Sequence, residues 1–378
     1  MATKTRETTS WWPLAAAGAG VIALCYGFAR YAYGLFVPRF TETFGLTTVG
    51  IGVLGGLSTA GYAAGLLIAP KTSARSARGT VLLAGAAATT GLALMAAAPH
   101  VTVFAAGIVV AGASAGLVSP GVAQLISESE SENPARAQTW ANTGTGLGLA
   151  ASAFTPLLAL GWPVVWAAFA GLGAAMTLLA WRTLPHTTPQ PATAGSTNTT
   201  PLVLNSVLIG VTSAPYWTFS GSRLAEAGLS PVAATWCWFA IGVAGLLGGL
   251  AGRVVDRVGL RAANLATWTL AAAGLALLGV PGLGPKSALI SSALFGSTYM
   301  ALTGLCIVWA ARVSPARPAR GVTWSFVGLG AGQTAAAPLA GAAAGTLGLG
   351  PVFILTGLVA LLAWTPWAKP AGPAAPRP

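Results

Sequence analysis

The chain repeats part of its own sequence at an offset of 184 residues. The segment RAQTWANTGTGLG at 136–148 recurs as RGVTWSFVGLGAG at 320–332, and six positions match at identical spacing. Arg39 recurs as Arg223 at the same offset. A repeat of this length indicates two structurally similar halves that follow one another in parallel orientation. The fold is therefore limited to one built from two related units.

Composition places both units in a membrane. The chain has 378 residues, of which 54% are hydrophobic and 7% are charged, against about 25% charged in a soluble domain. The net charge of +12 does not indicate nucleic acid, because the basic residues flank apolar segments. The polar first ten residues indicate no removable signal peptide. The spacing of the three cysteines fits neither a disulfide framework nor a metal site, so we expect buried free thiols, no metal and no cofactor.

Cutting the sequence at charged residues, prolines and turn residues gives twelve apolar segments, since a helix needs about 20 residues to cross a bilayer. The predicted spans are 13–37, 46–69, 79–98, 101–126, 138–160, 162–181, 202–222, 230–252, 262–281, 286–311, 320–345 and 350–367. The fold predicted is an all-α integral membrane protein with twelve transmembrane helices in two pseudo-symmetric six-helix bundles.

The bundles are predicted at 1–184 and 202–367, joined by a linker at 185–201 and followed by a disordered tail at 368–378. With the N-terminus in the cytoplasm, 15 Lys and Arg residues lie on the cytoplasmic side and three on the outer side. This bias predicts that both termini are cytoplasmic. We expect a multi-pass monomer of the bacterial cytoplasmic membrane, with the lipid bilayer and a small molecule as partners.

One loop makes the architecture more specific. The segment GRVVDRVGLR at 252–261, between spans 8 and 9, resembles the cytoplasmic G-x-x-x-D-R-x-G-x-R motif of the major facilitator superfamily. The matching residues are Gly252, Asp256, Arg257, Gly259 and Arg261. The resemblance implies a transporter in which Asp256 and Arg257 stabilise a conformation closed on the inside. In the first half, the Asp position of the motif is Thr72.

A second segment, YGFARYAYGL at 26–35 in span 1, resembles the signature of the bacterial YbfB/YjiJ-like facilitators. This resemblance implies a transporter and does not supply a substrate. The resemblance to the major facilitator superfamily as a whole implies that spans 1, 4, 7 and 10 line a central cavity.

Arg30 is the charged residue that lies in the interior of a predicted span. It precedes Arg39 by nine residues, which places it roughly 13 Å below the outer boundary at about 1.5 Å per residue. A charge near the middle of a bilayer costs at least ~2.5 kcal/mol and indicates function. Tyr26 and Tyr33 lie at i−4 and i+3, on the same helical face. We interpret Arg30 as an anion-binding residue flanked by two phenols; the alternative is a structural Arg bonded to carbonyls or a neighbouring helix.

No acidic residue lies inside a predicted span. Proton-coupled transporters usually carry the proton on a membrane-embedded Asp, Glu or His, so coupling by such a group is disfavoured. Facilitated diffusion, anion exchange and a proton that travels with the substrate remain open. Glu42 and Glu226 lie near the outer ends, where pairing with Arg39 and Arg223 is the simpler role.

Further polar side chains lie in the predicted spans, either lining the cavity or forming hydrogen bonds between helices. The candidates for substrate binding, besides Arg30, Tyr26 and Tyr33, are Tyr216, Tyr299, Ser114, Asn142 and Gln333. Trp140 and Trp324, related by the repeat, are interpreted as anchors at the membrane interface.

These observations favour a secondary transporter or facilitator that moves a small organic solute by alternating access. An anion is the preferred solute, and export or exchange is the preferred direction. The alternatives are multidrug-type efflux of hydrophobic compounds and a proton-coupled importer. An enzyme is disfavoured, because the chain has two distant histidines and no intramembrane acid.

Overall fold

The computed structural model describes residues 11–129, 133–158, 160–187, 198–313 and 318–365. Within these residues the secondary structure is helical and contains no β-strand. The helices, in chain order, are α1 Trp11–Phe44, α2 Thr48–Ser73, α3 Ala77–Ala96, α4 Val101–Glu128, α5 Pro134–Ser152, α6 Trp162–Thr183, α7 Thr200–Glu226, α8 Pro231–Val258, α9 Leu260–Gly279, α10 Pro285–Val313, α11 Pro318–Leu347 and α12 Leu349–Trp364. The predicted tail and most of the predicted linker lie outside the described residues.

Nine helices of the described residues are long and apolar enough to cross a membrane, namely α1–α4 and α6–α10. Helix α12 is apolar but shorter. Helices α5 and α11, which carry the sequence repeat, combine many glycines with polar side chains such as Gln138 and Gln333. The chain is thus a multi-pass membrane protein.

The helix boundaries follow ordinary capping rules. Thr47, Ser76 and Ser230 accept a hydrogen bond from the backbone amide three residues on, which starts α2, α3 and α8. Helix α1 ends at Phe44, and the residue that follows, Gly45, has a left-handed φ of 62°. Helix α5 ends at Ser152, earlier than the predicted 160, and a short turn containing Pro156 follows, because proline cannot continue the helical hydrogen bonding.

The repeated segment produces the same helix packing in both halves. A Cβ placed on Gly144 of α5 would lie 2.2 Å from the carbonyl oxygen of Ala19 in α1. At the repeat-related position, Gly328 of α11 lies against Val203 in α7, and the offset between both pairs is the same 184 residues. The repeated glycines therefore permit close approach of α5 to α1 and of α11 to α7.

Other helix pairs recur six helices later. Helix α4 packs on α2 and α3, and α10 packs on α8 and α9. Helix α3 also packs on α6, as α9 does on α12. The two halves meet mainly where α2 packs on α11 and α5 on α8.

The middle glycine of each repeat faces the other half. Gly146 of α5 lies against Gly242 of α8, and Gly330 of α11 lies against Ala63 of α2. The repeat thus supplies both the contacts inside a half and the contacts between halves.

Close contacts between the halves are concentrated on one side of the molecule. Helices α2 and α11 approach closely where Gly341 meets Thr48 and where Gly52 meets Ala337, near the start of α2 and the end of α11. Lys71, at the other end of α2, lies on what we call the basic side, together with Arg320 at the start of α11. The described halves are therefore closed against each other on the side opposite to the basic side.

Two repeat-related arginines anchor helix ends on that opposite side. Arg39 donates to the carbonyl oxygens of Pro156 and Leu160, at 3.0 and 3.1 Å. Arg223 donates to the carbonyls of Leu278 and Val280, which end α9.

Of the two predicted local ion pairs, the one between Arg223 and Glu226 is present and the one between Arg39 and Glu42 is absent among the described residues. Arg223 pairs with Glu226 at 3.2 Å. Arg39 instead donates to the carbonyl oxygens of Pro156 and Leu160. It forms no ion pair with Glu42 among the described residues. The three cysteines are free and buried, as predicted.

Candidate functional site

Arg30 lies in a segment of π-helix within α1. The π-helix covers Ala23–Tyr31, and every residue of it is buried. Hydrogen bonds in a π-helix join residues five apart, so the helix is locally wider than an α-helix. Tyr26 and Tyr31, five residues apart, consequently approach each other with ring centroids 5.9 Å apart. The segment packs on α5, since a Cβ placed on Gly27 would lie 2.4 Å from the backbone of Gly148.

The guanidinium of Arg30 joins the two halves of the chain. Its Nη2 donates to Oε1 of Gln333 in α11 at 2.6 Å, and its Nη1 donates to the hydroxyl of Tyr31 at 3.1 Å. Gln333 is itself held, because its Nε2 donates to Oγ of Ser213 in α7 at 3.0 Å. The side chain of Arg30 is only 5% exposed.

Aromatic rings provide the remaining surroundings of the charge. The ring centroid of Tyr62 in α2 lies 4.0 Å from Cζ of Arg30, and those of Tyr31 and Tyr26 lie at 5.0 and 5.9 Å. Such cation–π contacts stabilise a buried guanidinium without neutralising it. Among the described residues no carboxylate pairs with Arg30.

The ring of Tyr31 connects α1 to the second half. It stacks on Trp217 of α7 at a centroid distance of 3.9 Å and an interplanar angle of 17°. Its hydroxyl lies 3.3 Å from the hydroxyl of Tyr299 in α10. The indole N–H of Trp217 is buried and has no hydrogen-bond partner among the described residues.

A narrow cavity of about 20 Å³, room for little more than one water molecule, adjoins Arg30 at the junction of the halves. Its wall includes Arg30, Tyr31, Trp217 and Gln333, together with Thr59 of α2. The polar partners of the guanidinium here are a phenol and an amide oxygen, both uncharged. A solute carboxylate is a stronger partner for a guanidinium, because two parallel charge-assisted bonds replace bonds to neutral groups.

Several predicted residues lie together around this cavity. Tyr33 lines it, and its hydroxyl donates to the carbonyl oxygen of Ile51 at 3.4 Å. Tyr26 accepts a hydrogen bond from Ser119 of α4 at 3.1 Å. Gln333 contacts Arg30 directly, and Tyr299 is joined to it through Tyr31.

Three predicted residues lie elsewhere. Tyr216 faces the interior of the second half, where it stacks on Phe295 at 3.8 Å and its hydroxyl bonds Ser291 and Ser292. The hydroxyl of Ser114 is used within α4, donating to the carbonyl oxygen of Ala111.

Asn142 is exposed and accepts a hydrogen bond from Gln138, one turn earlier in α5. It lies one turn before Gly146, on the face of α5 directed at the other half and toward the basic side. Trp140 and Trp324 are exposed to similar extents, 46% and 45%.

Sequence spacing did not identify Tyr31 and Tyr62 as neighbours of Arg30. In an α-helix, residues one apart point in different directions, so Tyr31 was not expected beside Arg30. Tyr62 comes from another helix and adjoins Gly61, which lies against the backbone of Val109 in α4. The one sequence feature that could have pointed to Tyr62 is its position next to Gly61, a glycine that allows α2 to approach a neighbouring helix closely.

The segment 252–261 between α8 and α9, which carries the superfamily motif, has its charged side chains in solvent. Asp256, Arg257 and Arg261 are exposed, and Asp256 forms no ion pair among the described residues. Gly259 forms the junction of α8 and α9 with a φ of 81°, a conformation that favours glycine. Gly252 lies in the last turns of α8 with open space where a Cβ would stand.

The fold resembles those of several solved transporters. The D-xylose–proton symporter has a TM-score of 0.76 and 14% identity, over 96% of this chain and 99% of that one. A bacterial homologue of the human lysosomal transporter Spinster, in an inward-facing and unoccupied conformation, has a TM-score of 0.71 and 16% identity, over 93% and 95%. The human organic anion transporter MFSD10 has a TM-score of 0.69 and 16% identity, over 94% and 99%.

These likenesses, at 14–16% identity, show the fold alone. The class of protein, a membrane transporter of the major facilitator superfamily and hence a carrier rather than an enzyme, follows from the family that the sequence matches. Residues 22–365 match the family described as "Uncharacterised MFS-type transporter YbfB", and the chain belongs to that family. No curated protein matches the chain.

Proposed function

We propose that α1–α12 all cross the bacterial cytoplasmic membrane, as two six-helix bundles at 1–184 and 202–367 with both termini in the cytoplasm. The recurrence of helix pairs six helices apart supports this arrangement, as does the repeated packing of Gly144 and Gly328. The excess of basic residues on one side supports the orientation. In this orientation the structure is closed on the outer side.

The proposed activity is transport of a small organic anion by alternating access, with Arg30 as the binding residue. The observation that carries this proposal is a buried guanidinium, held at the junction of the halves by uncharged partners alone among the described residues. A buried charge without a counter-charge is costly, and a bound anion removes that cost. One of the similar folds is described as an organic anion transporter, although a likeness at 16% identity concerns the fold alone.

The geometry supports a coupling of binding to movement. Arg30 belongs to the first half, while Gln333 and Tyr299 belong to the second. An anion that displaces Oε1 of Gln333 from Arg30 removes one bond between the halves. The exposed Asp256 and Arg257 are then available to stabilise the opposite state, which is closed on the basic side.

Export or exchange is the proposed direction. Import of one anion against an inside-negative potential costs ~2.3 kcal/mol per 100 mV. The described carboxylates lie at helix ends or in loops, where Glu42 and Asp256 are exposed. An embedded acid that brings a proton inward is therefore not found among them.

The test is anion uptake into proteoliposomes by variants of Arg30. We expect Arg30→Ala to abolish uptake, and Arg30→Lys to retain a part of it, because lysine lacks the planar fork that binds both carboxylate oxygens. Arg182→Gln, which removes an exposed charge from α6, is the control and should transport normally. Normal uptake by folded Arg30→Ala protein would refute the anion site, and accumulation driven by a pH gradient alone would favour a proton-coupled importer.

A further inference from the structure

The cavity beside Arg30 has the size of a monatomic ion. Its volume of about 20 Å³ holds little more than one water molecule, so the carbon skeleton of an organic anion does not fit in this conformation. Gly55 of α2 keeps the space free, because a Cβ placed on it would lie 2.7 Å from Oγ1 of Thr218 in α7. A ligand of this conformation is therefore limited to a particle about as large as water.

Two hydroxyl groups in the wall of this cavity are unused. Ser58 of α2 and Thr218 are 7% and 4% exposed, and neither hydroxyl forms a hydrogen bond with a protein group among the described residues. A buried hydroxyl in a helix commonly donates to a carbonyl oxygen of the preceding turn, as that of Thr59 does to Gly56 at 2.8 Å. Because a buried polar group without a partner is costly, Ser58 and Thr218 favour a ligand that accepts hydrogen bonds.

Arg30 adds a positive charge and further donors to the same wall. A guanidinium has five N–H groups, and Arg30 donates one to Tyr31 and one to Gln333. Among the described residues that line the cavity, Arg30 is the one charged side chain. The wall thus combines an uncompensated positive charge with unused donors from α1, α2 and α7.

We propose that this cavity binds a single halide ion, chloride in the cell, as the counter-ion of Arg30 in the conformation described here. A water molecule would satisfy the two hydroxyls and leave the charge uncompensated, whereas a halide does both and is only slightly larger than water. The halide is a second ligand, beyond the organic anion of the proposed function, and the two share the assignment of Arg30 as an anion site. Because both need the guanidinium, they exclude each other.

Thermal-shift titration of the purified full-length protein with sodium chloride tests the proposal. Sodium chloride replaces sodium sulfate at constant ionic strength, since sulfate is a polyatomic ion that the cavity cannot hold. We expect the unfolding temperature to rise and saturate with chloride, because a ligand that binds the folded state stabilises it. Bromide should act in the same way, and Arg30→Gln protein should respond to neither halide.

Removing the unused hydroxyls locates the ion. Ser58→Ala and Thr218→Val should each raise the half-saturating chloride concentration about tenfold or more, since each removes a hydrogen bond to a charged ligand. In sulfate both variants should unfold close to the temperature of the unchanged protein, because neither hydroxyl has a protein partner. Ser127→Ala and Thr269→Val remove exposed hydroxyls from α4 and α9, and as matched controls they should change the half-saturation less than about twofold.

The outcomes separate this inference from the proposed function. Equal unfolding temperatures in chloride and sulfate would show a cavity that holds water only and would refute the halide site, while Arg30-dependent uptake of an organic anion would leave the proposed function intact. A chloride response that is unchanged in both Ser58→Ala and Thr218→Val would place the ion elsewhere and also refute the site. A chloride response lost in these variants, together with normal organic-anion uptake by Arg30→Ala, would support the halide site and refute the proposed function. The two hydroxyl variants carry the test if Arg30→Gln does not fold.

Discussion

Gln333→Glu places a carboxylate where the amide oxygen of Gln333 now accepts from Arg30 at 2.6 Å. The substitution keeps the shape of the side chain, which is 1% exposed, and changes its charge. The new carboxylate would satisfy the guanidinium from within the protein. A solute anion must then displace a charged partner in place of a neutral one.

The expected loss follows from the strength of that bond. A hydrogen bond to a charged group contributes about 1.5–3 kcal/mol, so an additional cost of about 2 kcal/mol weakens the apparent Kd about thirtyfold. The anion-free variant should also unfold at a higher temperature than the unchanged protein, because Arg30 gains a counter-charge.

Thermal unfolding with and without the anion, together with uptake into proteoliposomes, measures both effects. Asn142→Asp is the matched control, since it converts another amide of the repeat helices to an acid at an exposed position. It should leave the apparent Kd within about twofold, because an exposed charge is screened. An unchanged Kd in Gln333→Glu would contradict the assignment of Arg30 as the anion site.

Two further predictions concern the fold and its orientation. Gly148→Val should lower the unfolding temperature and the yield of folded protein, because a Cβ there would lie 2.5 Å from the carbonyl oxygen of Ala23, and overpacking typically costs about 1–3 kcal/mol. Gly171→Val, where no atom lies within 4 Å of the added Cβ, should be tolerated, and equal stability of both variants would show that α5 does not need this close approach. Cysteine labelling should report Ser76 in the cytoplasm and Pro285 outside, and the reverse pattern would overturn the proposed orientation.

The main features of the fold were accessible from the sequence because they depend on composition and repetition. Apolar length, basic loops and the repeated glycines each reflect a constraint that acts on many residues at once. The end of α5 was placed eight residues too late, because the turn at Pro156 lies within apolar sequence that a hydropathy cut does not divide.

The site was only partly accessible. Arg30, Gln333 and Tyr299 were identified singly, because polar groups are rare in apolar helices. They meet at the π-helix of α1, which packs against Gly148 and leaves no periodic signal in the sequence. Arg30 also donates to the next residue, Tyr31, a neighbour that a 3.6-residue period does not predict.

The unpaired charge of Arg30 determines where a membrane voltage acts on the proposed transport cycle. With a monovalent anion bound, the site is neutral overall, and its reorientation moves no net charge. The empty carrier carries one positive charge through part of the field, a movement worth up to about 2.3 kcal/mol per 100 mV. Voltage therefore acts on the empty return step, and counterflow, in which the carrier never returns empty, is insensitive to it.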